Sequence, residues 1–129
     1  MPTDTQIEAE IQAKGKTADR VTPADLQDNI VSEVYFTGSD GLKGGLNSPT
    51  GRVKSLYIEG VRLLAPLDTL TFCVLVLRNG FTVTGESACA SPENFDSEIG
   101  RKIARQNAEQ KIWPLLGYAL KQKLHDASA

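Results

Sequence analysis

The feature that most constrains this chain is the stretch from Leu70 to Ser87. There LTFCVLVL, then Arg78-Asn79-Gly80, then FTVTGES set two strand-like runs on either side of a dipeptide that accepts positive φ. The pattern predicts a β-hairpin with a two-residue turn. Pairing outward from Arg78–Phe81 sets Val76–Val83, Val74–Gly85 and Phe72–Ser87 on one face, with Leu77–Thr82, Leu75–Thr84 and Cys73–Glu86 on the other. In that register Cys73 and Cys89 point to opposite faces. A disulfide needs Cβ atoms about 4 Å apart, so two buried, reduced thiols in a reducing compartment are expected.

A chain of 129 residues is one domain's worth. Its N-terminal part, 1–36, reads as helical. Residues 4–13 space Ile7 and Ile11 by four, a stripe too short to be stable without packing. Thr22-Pro23-Ala24-Asp25 is a second helix start, with Leu26, Ile30 and Val34 as its buried edge. Residues 37–51, TGSDGLKGGLNSPTG, lack periodicity and phosphate-loop glycine spacing, so 37–54 is expected to be a flexible loop. The segment 55–90 then supplies an antiparallel sheet, with strands at Ser55–Ile58 and Val61–Leu64 before the hairpin, four in all.

Residues 91–125 read as the C-terminal helix. Ser91-Pro92-Glu93 leads into a long helix starting near Asp96, with Ile99, Ile103, Ala104, Ala108, Ile112, Leu115, Leu116, Ala119 and Leu120 covering the sheet. Pro114 cannot donate to the helical ladder, so the helix kinks or restarts there. The expected fold is therefore α+β: a small antiparallel sheet with a central hairpin, short N-terminal helices and a long, kinked C-terminal helix.

A net charge of −2 argues against general electrostatic attachment to DNA or anionic lipid, and no apolar run reaches the roughly 20 residues of a membrane helix. The charge is uneven. Residues 1–35 hold seven acidic against three basic side chains, whereas 96–126 hold four against six. The single histidine, His125, lies near the chain end, and neither zinc spacing nor a carboxylate cluster stands out. This inventory points away from an enzyme, and toward no metal and no cofactor.

What remains is an inventory for binding. Arg101 and Arg105 stand one helical turn apart, where like charges repel by a few tenths of a kcal/mol, as though an anion sits between them. Together they would clamp a phosphate, while Phe81, Trp113, Tyr118 and Tyr57 are available to stack on a base and the amides of Asn79 and Asn94 to read its edge. Structural roles stay open for each. Arg105 has Glu109 at i,i+4 and Glu98 has Lys102, which leaves Arg101 without an obvious helix partner; Trp113 suits the core, Asn79 a turn and Asn94 a helix start.

The stretches TPADLQDNIVSEVYFT at 22–37 and LTFCVLVLRNGFTVTGESACASPENFDSEIGRKIARQNAEQKIWPLLGYALKQKL at 70–124 resemble the gene forty-nine/gene sixty-six family of small phage proteins. The run NGFTVTGESACASPENFD followed by IGR and an alanine is the specific part, and 38–69 is not covered. The expected architecture is in turn similar to the Thoeris anti-defence sponges. That resemblance implies a non-enzymatic phage protein of the host cytoplasm that sequesters glyco-cyclic ADP-ribose, or cyclic oligonucleotides, as a homodimer or a higher homo-oligomer up to a hexamer. It implies Phe81 stacking on the base, Asn94 on base or ribose, and Arg101 with Arg105 on the phosphates. The hairpin turn and the helix start at 91–96 would face each other. Glu86 of a neighbouring copy is the alternative to an anion between the arginines. A rival from another class is an accessory protein that inhibits a host protein through the hairpin or the 37–51 arm.

Overall fold

The computed structural model describes residues 2–53, 57–58, 61–62 and 64–128, apart from the side chains of 57, 58, 61, 62 and 64. In chain order the elements are α1 (Asp4–Ala13), α2 (Pro23–Asp28), β1 (Ile30–Thr37), α3 (Gly38–Leu46), β2 (Tyr57–Ile58), β3 (Val61–Arg62), α4 (Leu64–Leu67), β4 (Leu70–Leu77), β5 (Thr82–Ala88), a 3-10 turn (Pro92–Asn94), α5 (Ser97–Gln110) and α6 (Ile112–Ser128). β1, β4 and β5 form an antiparallel sheet in the order β1-β4-β5, and α5 lies on one of its faces. The expected α+β architecture holds.

Its central hairpin is shifted by one residue from the expected register. Leu75 faces Val83 and Cys73 faces Gly85. Gly80 N–H bonds Leu77 O, Leu77 N–H bonds Phe81 O, and Gly80 takes a φ of 88°, so Arg78, Asn79 and Gly80 make a three-residue loop closed by a left-handed glycine. Burial favours this alignment, because it gathers Cys73, Leu75, Leu77 and Val83 on the helix side and leaves Thr82, Thr84 and Glu86 opposite. Both cysteines are free, but not for the reason expected. The residues lie in phase, and Gly85, opposite Cys73, is four residues from Cys89, or about 13 Å along the strand. Cys73 is buried and Cys89 only half-buried, its Sγ–H donating to Ser91 O.

Two further expectations are corrected. The second N-terminal helix stops at Asp28, and Ile30 and Val34 belong to β1, where IVSEVYFT is rich in β-branched and aromatic residues. A bulge at Val31 brings Glu33, Tyr35 and Thr37 onto the helix side. Nor is 37–54 a loop throughout. Thr37 and Asp40 form a capping box, Leu42 is buried, and Ser39 bonds Asp68, so α3 forms despite four glycines. β2 and β3 form their own two-stranded sheet rather than joining the hairpin, and residues 55 and 56 of the first expected strand lie outside the described residues.

Helix α5 meets the sheet through Gly100, Ala104 and Ala108, with Ile112 buried beyond its end, while Ile99 and Ile103 are 56% and 42% exposed. Of the expected stripe, Ala104, Ala108 and Ile112 face the core, whereas Ile99 and Ile103 face away from it. The reason is the closeness of approach, since small residues let the helix backbone settle onto Gly85. The helix breaks at Lys111 and restarts as α6, a bend of 24°. Pro114 offers no N–H to the carbonyl of Gln110, and its ring crowds that carbonyl.

Helix α1 buries none of its own residues and is held by polar ties. Arg20 grips both Glu8 oxygens at 2.6 Å, and Trp113 Nε1–H donates to Asp4 Oδ2 at 3.2 Å. Arg20, and secondarily Gln12, lowers the Glu8 pKa from 4.5 to about 2. The folded state thus binds fewer protons, and this support for α1 is complete above pH 4.5 and lost as pH falls toward 2. Fluorescence of the single tryptophan, Trp113, should change across that window as α1 lifts. In Arg20→Gln the change should be absent, and its persistence there would assign it to another group.

Candidate functional site

Building upward from α5, Asp96 caps the helix by accepting the N–H of Ile99, which leaves those of Ser97 and Glu98 without an intrahelical acceptor. Gly100 rests on Thr71, close enough that a Cβ there would stand 2.9 Å from Thr71 Oγ1. Arg101 follows. With Ser97, Thr71, Tyr35, Phe36, Thr37 and Asp40 it encloses a recess of about 150 Å³ at this end of the sheet. Two helix starts converge here, since Thr37 caps α3 as Asp96 caps α5.

On the floor of the recess Thr71 has Thr37 as its cross-strand partner, and Ser87 continues this rung of hydroxyl residues on the other side of Thr71. Thr37 Oγ1 accepts from Asp40 N–H. Thr71 is 3% exposed, and its Oγ1 has no hydrogen-bond partner among the described residues. Burial raises the Tyr35 pKa, with Cys73 adding to it and the Arg101 guanidinium opposing it. Tyr35 and Arg101 line the same recess. On the rim, Asp40 is held below the ordinary carboxylate range by its bonds with Thr37 and more weakly by Lys43.

The two arginines of the sequence puzzle have different surroundings. Arg105 pairs with Glu33 and with Glu109, the latter at 2.7 Å, and donates to Gln27 Oε1 at 3.0 Å. Gln27 in turn donates to Glu109. Arg105 thus ties α2, β1 and α5 together. Arg101 makes no ion pair among the described residues, while Glu98 and Lys102 pair at 3.3 Å, as their spacing suggested.

The remaining expected site residues are dispersed. Asn79 Oδ1 accepts from Phe81 N–H, a turn role, and Phe81 is 54% exposed beside it. Asn94 closes the 3-10 turn through its N–H to Ser91 O. β5, seven residues long, lies between Phe81 and Asn94 and separates them by roughly 20 Å. The hairpin turn and the helix start at 91–96 do not face each other within one chain. Glu86 projects from the sheet face opposite α5, away from both arginines, and its carbonyl accepts from Asn107 Nδ2. Trp113 is half-buried against the core and Tyr118 is exposed. The side chain of Tyr57 lies outside the described residues.

Thr71, Tyr35, Thr37, Ser97 and Asp40 were not singled out by sequence reasoning. Only Thr71 carried a usable signal, as a hydroxyl in phase with Cys73, Leu75 and Leu77 in an otherwise apolar strand. Among the described residues no helix is long and apolar enough to cross a membrane. No curated protein and no solved structure matches the chain. Residues 21–124, which run from the start of α2 through the hairpin and the recess to α6, match the model of the phage protein (N4 Gp49/phage Sf6 gene 66) family, and the chain belongs to that family.

Proposed function

We propose that this phage protein binds a nucleotide immune signal, glyco-cyclic ADP-ribose or a cyclic oligonucleotide, in the host cytoplasm and withholds it without cleaving it. The observation that carries the reading is Arg101, a cation with no ion pair among the described residues, on the lining of a hydroxyl-bearing recess at the start of α5. Sequestration needs such a contact and requires no catalytic group. At about 150 Å³ the recess is smaller than the roughly 300–1,000 Å³ of pockets that enclose a whole small ligand. A nucleotide would therefore extend beyond it, and Phe81 would stack on the base only from a second copy of the chain.

The test is native mass spectrometry of the protein with cyclic ADP-ribose isomers and cyclic di- and trinucleotides, followed by denaturation and recovery of the ligand. Intact ligand released at fixed stoichiometry from an oligomer supports sequestration. Recovery of a cleaved product, or no binding across the panel, overturns it.

A second reading, inhibition of a host protein by direct binding, draws on the sheet face opposite α5. There Val34, Phe36, Phe72, Val74 and Val76 lie together at partly or fully exposed positions, and the Phe36 and Phe72 rings stack 5.4 Å apart. Co-purification of one host protein, lost in Val74→Lys, would favour it over nucleotide capture.

A further inference from the structure

The orphan hydroxyl of Thr71 sharpens what the recess would hold. A buried hydroxyl without a partner costs stability, so its retention calls for an explanation. It sits on the floor of a recess that also presents Arg101, the start of a 14-residue helix and the hydroxyl of Ser97. A helix start favours anions, an arginine supplies up to two parallel donors, and a threonine hydroxyl supplies one more. We infer that Thr71, Ser97 and Arg101 form a subsite for a single phosphoryl group, one per chain. The subsite stands on its own geometry, while the identity of the molecule carrying the phosphoryl group rests on the proposed function.

Size and charge narrow the class. The recess admits one tetrahedral oxyanion and leaves no room for an attached nucleoside. Asp40 lines the same recess, and its carboxylate opposes each added negative charge. The site therefore prefers a phosphoryl group of one charge, as in the phosphodiester of a cyclic dinucleotide or either half of the pyrophosphate of cyclic ADP-ribose, over a dianionic monoester. Thr37 and Asp96 already take the N–H groups at the third positions of α3 and α5, so the ligand's donors are Arg101, the two hydroxyls and the first N–H groups of α5.

Thr71→Val separates this role from a structural one, because it keeps the shape and removes only the hydroxyl. The probes are inorganic phosphate, dimethyl phosphate and cyclic ADP-ribose, read by thermal shift and by titration calorimetry at fixed ionic strength. The expected result is saturable stabilisation of the natural chain by dimethyl phosphate, with weaker binding of inorganic phosphate. Thr71→Val should melt at a higher temperature without ligand, yet bind dimethyl phosphate at least about 10-fold more weakly. Thr71→Ser should restore binding, and Asp40→Asn should tighten inorganic phosphate more than dimethyl phosphate.

Unchanged dimethyl phosphate affinity in Thr71→Val, or no saturable response of the natural chain to either phosphate probe, overturns the subsite. If cyclic ADP-ribose binds Thr71→Val as it binds the natural chain, the subsite fails and sequestration stands. If dimethyl phosphate binds as expected while no nucleotide does, the subsite stands and sequestration fails.

Discussion

Gly85→Ala should lower stability by about 3 kcal/mol, at the upper end of what overpacking costs, with a fall in Tm of roughly 10 °C. The reason is purely geometric. A Cβ at Gly85 would lie 2.1 Å from Ala104 O, 2.3 Å from Ala108 N and 3.0 Å from Ala108 Cα. These are backbone atoms of α5, so no rotamer change relieves the contact and the helix must lift from β5. Lifting it uncovers Leu75, Val83, Ala104 and Ala108, which are buried together in the core. Gly117→Ala is the control, because nothing lies within 4 Å of a Cβ there and the residue is inside α6. That change should stabilise by about 0.5–1 kcal/mol through the unfolded chain. Urea unfolding of both variants checks the pair, and a Gly85→Ala midpoint matching the natural chain would show that α5 does not approach β5 this closely.

The same contact explains why part of the fold was legible and part was not. Local chemistry placed the hairpin, the helix start at Thr22, the cap at Asp96 and the break near Pro114, because each depends on residues within a few positions of one another. The register did not follow from Asn79-Gly80 alone, since a glycine with positive φ closes a three-residue loop as well as a two-residue one. Tertiary packing settled it, and with it which side chains of α5 face inward. The expected stripe held Ala104, Ala108 and Ile112, which do face inward, and also Ile99 and Ile103, which do not, because the close contact with the sheet is made by the small residues Gly100, Ala104 and Ala108. In the same way the glycine-rich 38–46 segment has poor helix propensity, and its capping box and burial against the sheet override that preference. The recess was mostly illegible because its residues come from β1, α3, β4 and α5, and no linear spacing joins them.

Arg101→Ala and Arg105→Ala should fail in different ways, which gives the second large effect. Their proximity in sequence suggested one shared anion, but Arg105 already has Glu33, Glu109 and Gln27 around it. Its side chain is 25% exposed and that of Glu109 18%, so removing the guanidinium strands a largely covered carboxylate. Partial solvent access holds the cost to about 1–3 kcal/mol, below that of breaking a fully buried pair. Arg101 has no such partner among the described residues, and its loss should leave Tm within about 2 °C, as for an ordinary surface substitution. Under the proposed binding, Arg101→Ala removes a charged contact to phosphate worth about 3 kcal/mol and weakens cyclic nucleotide affinity by roughly 100-fold. Arg105→Ala should retain affinity at temperatures where it remains folded. Calorimetric titration alongside thermal melting decides between the two roles. Equal losses of affinity at matched folded fraction would restore the shared-anion clamp, whereas a melting loss confined to Arg105→Ala would show that the turn-spaced arginines serve two separate neighbourhoods.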